Sequence, residues 1–168
     1  PVVDGAQHLV QRARHRPRRL RVVIVLDQGA NRGLRRCTTA GIAADAIGDE
    51  LRDFAAGSDI VFLCVTGSPQ VEAAVLGAGG LLAGAAKGLM IVDTSTSEPD
   101  STARLREACA AQGVRYIDAP LARTPVEAEA GKLNVMVGAD AADFARLEPV
   151  LHCFAENVFH VGGPGAGH

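Results

Sequence analysis

Four segments that could bind a ligand follow short apolar runs in this sequence. The runs are rich in β-branched residues, as is typical of buried strands. Together the segments offer a carboxylate, several hydroxyl groups and small residues that leave the backbone accessible. They are Asp27, Val65-Thr66-Gly67, Thr94-Ser95-Thr96 and Ala119-Pro120-Leu121. If the runs form one parallel sheet, the segments meet at its carboxyl edge, where such sheets bind ligands.

The remaining reactive residues support no other chemistry. Thr66-Gly67-Ser68 is not a nucleophile elbow, because the G-x-S-x-G pattern is absent. His152 and Cys153 are adjacent on a predicted helix and point to different faces, which argues against a metal site with His160 and against a Cys–His catalytic pair. The four cysteines include no C-x-x-C pair, so neither a zinc site nor a disulfide framework is predicted.

The elements that must position these segments alternate along the chain. Strands are predicted at 22–26, 60–65, 89–92, 114–117, 133–137 and 158–160, with helices between most of them. Ser97 is predicted to cap a helix that ends near residue 112, and Asp140 is predicted to cap a helix over 141–153. Because short links exclude hairpins for most neighbours, we expect an α/β fold with a doubly wound, mostly parallel sheet.

Composition is that of one globular domain. The chain has 168 residues, of which 48% are apolar and 21% charged. Its longest purely apolar runs are far shorter than the roughly 20 residues of a membrane helix, so no membrane partner is expected. The net charge of −2 argues against a general nucleic-acid binder. The cysteine usage and the lack of signal-peptide anatomy predict a cytoplasmic protein.

Charge is concentrated at one end of the chain. Residues 1–36 hold nine arginines and two acidic residues, and six of those arginines lie within residues 12–21. Residues 1–21 therefore form a basic arm that either binds phosphate or nucleic acid, or is simply solvated. The lack of interleaved aromatic residues favours the solvated arm. The abundance of Arg and Ala also fits translation of a GC-rich gene in a wrong frame. Residues 22–168 are predicted to form the folded domain.

Several motifs occur in a specific order. They are S-D-I-V-F-L-C-V at 58–65, V-E-A-A-V-L-G at 71–77, G-L-L at 80–82, V-D-T-S-T-S-E-P at 92–99, D-A-P-L at 118–121 and G-K-L-N-V-M-V-G at 131–138. The ordered set resembles the NAD(P)-binding domain of the β-hydroxyacid dehydrogenase family, which includes 3-hydroxyisobutyrate dehydrogenase and 6-phosphogluconate dehydrogenase. The resemblance covers about residues 41–167 and implies a Rossmann-like fold.

The resemblance also implies a cofactor, NAD, with NADP as the alternative. The residues that it places beside the dinucleotide are Asp27, Val65, Thr66, Gly67 and Thr96. Asp27 would bind a ribose 2′-hydroxyl, which favours NAD over NADP. Val65 to Gly67 would border the adenosine side, and Thr96 would lie near the nicotinamide ribose. Residues 94–96 can also be read as a strand end that turns into a capped helix, and both readings can hold at once.

The implied substrate loop departs from the family pattern. The family usually reads D-A-P-V-S-G-G, whereas this chain has Ala122, Arg123 and Thr124 in place of S-G-G. The resemblance makes these three residues the substrate-binding set. A guanidinium at 123 would offer a bidentate fork to a carboxylate where the family offers glycine backbone. The alternative is that Arg123 points to solvent.

Other parts of the family pattern are missing. No G-x-G-x-x-G occurs, so the first strand and its glycine loop are expected to be absent and 22–26 to be the second strand. That gap predicts unpaired strand edges beside 22–26 and 60–65. The position of the family's catalytic Lys falls beyond His168, and neither Lys87 nor Lys132 corresponds to that position. The C-terminal helical domain is also missing, so the chain resembles a piece truncated at both ends, with no catalytic residue of its own.

Two functions follow as hypotheses. By resemblance, the chain belongs to an NAD(P)-dependent oxidoreductase that transfers hydride between nicotinamide and a small β-hydroxy acid, although the chain alone is expected to be inactive. Complete family members are expected to be homo-oligomers. The alternative is a non-catalytic Rossmann-like remnant or binding module that uses its basic arm.

Overall fold

The computed structural model describes residues 22–26 and 49–168. In chain order these residues form β1 (Val22–Leu26), α1 (Asp49–Gly57), β2 (Ile60–Cys64), α2 (Ser68–Leu76), α3 (Leu81–Gly84), β3 (Met90–Asp93), α4 (Pro99–Ala111), β4 (Arg115–Asp118), β5 (Leu121–Ala122), α5 (Pro125–Glu129), β6 (Leu133–Gly138), α6 (Ala141–Leu151) and β7 (Ala155–Gly162). Asp27 and the basic arm lie outside the described residues. Within those residues, no helix is long and apolar enough to cross a bilayer.

The strands form one mixed sheet. β1, β2, β3 and β4 lie side by side in chain order and are parallel. β6 runs antiparallel to both β4 and β5, and β7 pairs with β6 in parallel. The predicted α/β class, with a mostly parallel, Rossmann-like sheet, is confirmed.

The predicted unpaired edge is wrong for residues 60–65, because β2 pairs with β1 on one side and with β3 on the other. Among the described strands, β1 ends the sheet. β1 pairs directly with β2 over the full length of both strands, from Val22 opposite Ile60 to Leu26 opposite Cys64. The pairing supplies partners to backbone groups that an open edge would leave unpaired.

The core has two halves, one on each face of the sheet. Val61 and Leu63 face one cluster, in which β2 packs against residues of the first four helices. Ile60 and Phe62 face the other, which includes Leu147 of α6. Alternate residues of one strand thus enter opposite clusters, because successive strand side chains point to opposite faces. Helices on both faces bury the parallel sheet, as the continuous apolar runs predict.

Helix ends follow the predicted residues in part. Pro99 lies in the first turn of α4, and Gly113 follows that helix with a φ of +71°, which glycine adopts without strain. The prediction that Ser97 caps α4 is wrong, because the capping position belongs to Glu98. The Ser97 hydroxyl instead donates a hydrogen bond to Asp93. Asp140 is at the capping position of α6 but makes no side-chain capping hydrogen bond.

Candidate functional site

Three parallel strands end at one edge of the sheet. The strand register places Leu63 of β2 opposite Asp93 of β3, and Asp93 opposite Asp118 of β4. The segments 65–67 and 94–96 leave the sheet at this edge. Ligands of parallel sheets bind outside such carboxyl ends, so this edge is the candidate site.

Asp93 is a fully buried carboxylate that shapes the loop after β3. It accepts hydrogen bonds from the Ser95 backbone N–H at 2.9 Å, the Ser97 hydroxyl at 2.8 Å and the Tyr116 hydroxyl at 2.7 Å. Burial raises the pKa of Tyr116, and the Asp93 charge raises it further, so that hydroxyl stays protonated as a donor. Because a buried carboxylate is stable only with such donors, the network holds the loop in one conformation.

Two hydrogen bonds join this loop to the end of β2. The Val65 N–H donates to the Ser95 Oγ at 3.0 Å, and the Thr94 hydroxyl donates to the Leu63 carbonyl at 2.6 Å. In the first bond the donor is the backbone of the segment after β2, and in the second the donor is a side chain of the loop after β3. The two candidate segments are therefore held as a single unit.

The structure brings most of the predicted cofactor residues together. A Cβ atom added at Gly67 would lie 3.6 Å from the Thr96 carbonyl oxygen, an ordinary contact distance. Val65 belongs to the same unit through its bond to Ser95. Thr66 and Thr96 have exposed side chains at this edge. Asp27, the fifth predicted residue, lies outside the described residues.

A second buried carboxylate, Asp118 at the end of β4, holds the segment 162–168. It accepts hydrogen bonds from the backbone N–H groups of Gly165 at 2.7 Å and Gly167 at 2.6 Å. A Cβ atom at Gly138 would collide with the Asp118 carboxylate, so the glycine leaves that space to the carboxylate. Asp118 belongs to the motif D-A-P-L, but this contact was not predicted from the sequence. The available signal was a glycine-rich run together with an aspartate that ends a buried strand.

Arg123 is held by one neighbour that precedes β6 and one on β7. Its guanidinium donates from Nη1 to the Glu156 carboxylate at 2.8 Å and to the Lys132 carbonyl at 2.9 Å. Lys132 precedes β6 and Glu156 lies on β7, so the side chain reaches from the end of β5 across the start of β6. Its backbone has a φ of +90°, a conformation that favours glycine. Arg123 thus keeps a backbone conformation that suits the family's glycine at this position, although the residue itself is not glycine.

Ala122 and Thr124 flank that arginine. Ala122 ends β5, opposite Asn134, and Thr124 precedes α5. The Glu127 carboxylate accepts hydrogen bonds from the Thr124 hydroxyl and from its N–H, the latter at 3.0 Å. These bonds hold the pKa of Glu127 below its usual range, with the hydroxyl contributing most. The predicted acid-binding loop is therefore exposed and already paired with two of the chain's own carboxylates.

The histidines and cysteine weighed for a metal site have other contacts. His160 stacks on Phe144 with ring centroids 4.5 Å apart, and its Nε2 lies 2.7 Å from the Ala139 carbonyl. The Cys153 thiol lies 3.6 Å from the Pro149 carbonyl. In the part of the chain that the structure describes, no three His, Cys, Asp or Glu side chains are grouped as metal ligands would be.

Comparison with known domain families identifies the domain. A family described as the NAD binding domain of 6-phosphogluconate dehydrogenase matches residues 23–162. The chain belongs to this family. Membership of this NAD-binding domain family confirms the resemblance to β-hydroxyacid dehydrogenases and the predicted cofactor class, NAD or NADP.

Individual relatives match part of their length. The 2-(hydroxymethyl)glutarate dehydrogenase of Eubacterium barkeri is 41% identical over 113 residues, which cover 67% of this chain and 38% of the relative. The 3-hydroxyisobutyrate dehydrogenase of Pseudomonas aeruginosa is 39% identical over 111 residues, 66% of this chain and 37% of the relative. The NAD-binding domain thus spans well under half the length of these curated relatives.

Solved structures show the same fold. The crystal structure of 3-hydroxyisobutyrate dehydrogenase from Salmonella typhimurium aligns with a TM-score of 0.75 and 25% sequence identity. The alignment covers 98% of this chain and 54% of that one. An oxidoreductase structure from Mycobacterium avium aligns with a TM-score of 0.70, 26% identity, and coverage of 99% and 56%.

Proposed function

We propose that this NAD-binding domain is the cofactor-binding part of an oxidoreductase that transfers hydride between a nicotinamide and a small β-hydroxy acid. The observation that carries the proposal is the 3.0 Å hydrogen bond from the Val65 N–H to the Ser95 Oγ. It joins the two loops that follow β2 and β3 at the edge where parallel sheets bind their ligands. The names of the relatives, dehydrogenases of hydroxy acids, support the reaction class.

Five residues are assigned to the cofactor. Val65, Thr66 and Gly67 border its adenosine side, Thr96 lies near the nicotinamide ribose, and Asp27 binds the adenosine ribose and selects NAD over NADP. When bound, the dinucleotide supplies the hydride acceptor. The chain's own contribution is to hold the loops that carry these residues, through the buried carboxylate of Asp93.

Ala122, Arg123 and Thr124 are assigned to the substrate. A guanidinium binds a planar carboxylate with two parallel hydrogen bonds, so Arg123 suits an acid. Its present partner, Glu156, is itself a carboxylate 2.8 Å away. A substrate acid would therefore take the place of a carboxylate that the domain already provides.

Neither lysine of the chain matches the family's catalytic position. Lys87 precedes β3 and so lies at the amino end of the parallel strands, and Lys132 contacts Arg123 through its backbone carbonyl. An alcohol oxidation needs a group that accepts the hydroxyl proton. We therefore expect the 168-residue chain to bind the cofactor without turning over substrate.

Titration of the chain with NAD, followed by amide chemical shifts, tests the proposal. We expect shifts to concentrate at Val65, Gly67 and Thr96, with a dissociation constant weaker than about 1 mM, because no glycine-rich phosphate loop is recognisable in the sequence. NADP should bind more weakly than NAD. Shifts confined to other surfaces, or no saturable binding, would contradict the proposal. Micromolar binding would instead show that residues 29–33 form a phosphate loop.

A further inference from the structure

His168 lies where three parts of the site meet. Its backbone N–H faces the Asp118 carboxylate at 3.4 Å. Its ring has Nδ1 2.7 Å from the Thr102 Oγ1 and Nε2 3.2 Å from the Ser95 carbonyl oxygen. The residue thus connects the end of β4, helix α4 and the loop after β3.

The partners of the ring determine its hydrogen-bonding roles. A carbonyl oxygen can only accept, so Nε2 carries a hydrogen and donates it to Ser95. In a neutral ring Nδ1 is then an acceptor, and the Thr102 hydroxyl, which can donate, completes the pair. Both ring nitrogens are therefore satisfied by one tautomer.

We infer that His168 is a positioning residue that holds the loop carrying Thr96 in place for the cofactor. The same residue, Ser95, accepts from His168 through its carbonyl and from Val65 through its hydroxyl. Movement of Ser95 would therefore disturb both cofactor segments at once. The cofactor part of this inference rests on the proposed function, whereas the effect on the loop does not.

Other hydrogen bonds already hold both the loop after β3 and the segment that carries His168. Asp93 fixes the start of the loop through the Ser95 N–H at 2.9 Å. His168 contacts the opposite side of the same residue, its carbonyl. Asp118 and the contact from Arg106 to the Pro164 carbonyl at 3.0 Å hold the segment from which the ring extends. Loss of the ring should therefore loosen the loop without unfolding the sheet.

Three substitutions separate positioning from general stability. His168→Ala removes both ring contacts. His168→Gln keeps an amide N–H long enough to reach the Ser95 carbonyl, whereas His168→Asn is too short to do so. His160→Ala is the matched control, because His160 also contacts a backbone carbonyl, that of Ala139, but on β7.

The measurements are hydrogen exchange of the Val65 amide in the 168-residue chain and its dissociation constant for NAD. For His168→Ala and His168→Asn we expect about fivefold faster exchange and about fivefold weaker NAD binding, the loss of about one hydrogen bond. His168→Gln should restore both, and His160→Ala should change neither. The Ala119 amide, which donates to the Asp93 carbonyl at 2.8 Å, reports overall opening and should be unaffected.

The possible outcomes test the positioning role of His168 separately from the proposed binding of NAD. Unchanged Val65 exchange in His168→Ala, or an equal change at Ala119, overturns the positioning role. Faster exchange at Val65 with unaltered NAD affinity overturns its relevance to the cofactor. If the unsubstituted chain binds no NAD, the proposed function fails, while the exchange rates still decide whether His168 holds the loop.

Discussion

The edge that carries Asp93 and Asp118 differs from the loop that carries Arg123 in how each satisfies its charges. Both aspartates are fully buried and accept hydrogen bonds mainly from backbone N–H groups and hydroxyls. Arg123 and Glu156 are partly exposed and pair with each other, with 33% and 46% of their side-chain surfaces accessible. The edge that carries Asp93 and Asp118 is thus built from contacts that solvent cannot replace. The loop at residues 122–124, here called the acid loop, is built from contacts that solvent can replace.

The difference matches what each region is proposed to bind. A cofactor site needs loops of fixed shape, and a buried carboxylate with several donors holds one shape because losing any donor is costly. A substrate loop must exchange partners at each turnover. A surface ion pair is worth only about 0.2–1 kcal/mol, so Arg123 can leave Glu156 for another carboxylate at small cost. The contrast can be tested from both sides.

The largest expected effect is at the buried edge. Asp118→Asn should lower the free energy of unfolding by about 2–4 kcal/mol, because an amide offers one acceptor and turns an NH₂ group towards backbone donors. Urea denaturation measures the change. Asp53→Asn is the control, since it removes one charge at a position with 77% side-chain exposure and should shift stability by less than about 0.5 kcal/mol. Equal effects of the two substitutions would contradict the contrast.

Arg123→Gly should affect function and leave stability nearly unchanged. In the oxidoreductase proposed above, kcat/KM for the cognate β-hydroxy acid should fall by about 10- to 150-fold, the cost of a lost charged hydrogen bond, with little change in NAD affinity. Stability should vary by less than about 1 kcal/mol, because glycine relieves the φ of +90° while the surface pair is lost.

Two comparisons make that result interpretable. Arg123→Lys keeps the charge but not the planar fork, so it should restore only part of kcat/KM. An unchanged kcat/KM accompanied by weaker NAD binding would show that Arg123 acts on the cofactor, and the substrate assignment would be wrong.

The two regions also differ in how well the sequence predicts them. Short apolar runs that end in polar residues identify the strands and the site edge, because burial on both faces leaves a clear pattern. Val65, Gly67 and Thr96 lie close together at this edge, and Thr66 is exposed there, whereas their contact with a cofactor stays a prediction. The role of Ser97 could not be read, since capping an N-terminus and donating to Asp93 require the same residue type. The pairing of β1 with β2 depends on tertiary contact, and no local pattern specifies it.

Partners of the acid loop are the least predictable. Glu156 is 33 residues from Arg123, and only the position of β7 beside β6 brings them together. Arginine itself gives no sign of the positive φ at position 123, and only the glycine that the family pattern has there indicates it. Long-range pairs of exposed charges follow from the completed fold, whereas strand patterns precede it.

Glu156→Gln should have a smaller effect, in the opposite direction to Arg123→Gly. Without the competing carboxylate, Arg123 is free to bind an acid, so KM for the β-hydroxy acid should fall by about two- to fivefold, in line with the strength of a surface pair. The kcat value should change little, since Glu156 does not act on the reacting atoms. Asp53→Asn again controls for the loss of one negative charge. A rise in KM would indicate that Glu156 orients Arg123 for the substrate and does not compete with it.

The smallest expected effect is the acid response of Glu127. Hydrogen bonds from the Thr124 hydroxyl and N–H lower the pKa of this carboxyl from its usual 4.5. A lowered folded-state pKa means that the bonds stabilise the loop above the unfolded value and are lost as pH falls through the lower, folded value. The Thr124 amide shift should therefore titrate with a midpoint below 4.5, and Glu127→Gln should abolish that titration. The Val65 amide, whose acceptor is a hydroxyl, is the reference from the buried edge. A Thr124 midpoint at or above 4.5 would show that solvent has already displaced the bonds, and the acid loop would then be even more exchangeable than the structure indicates.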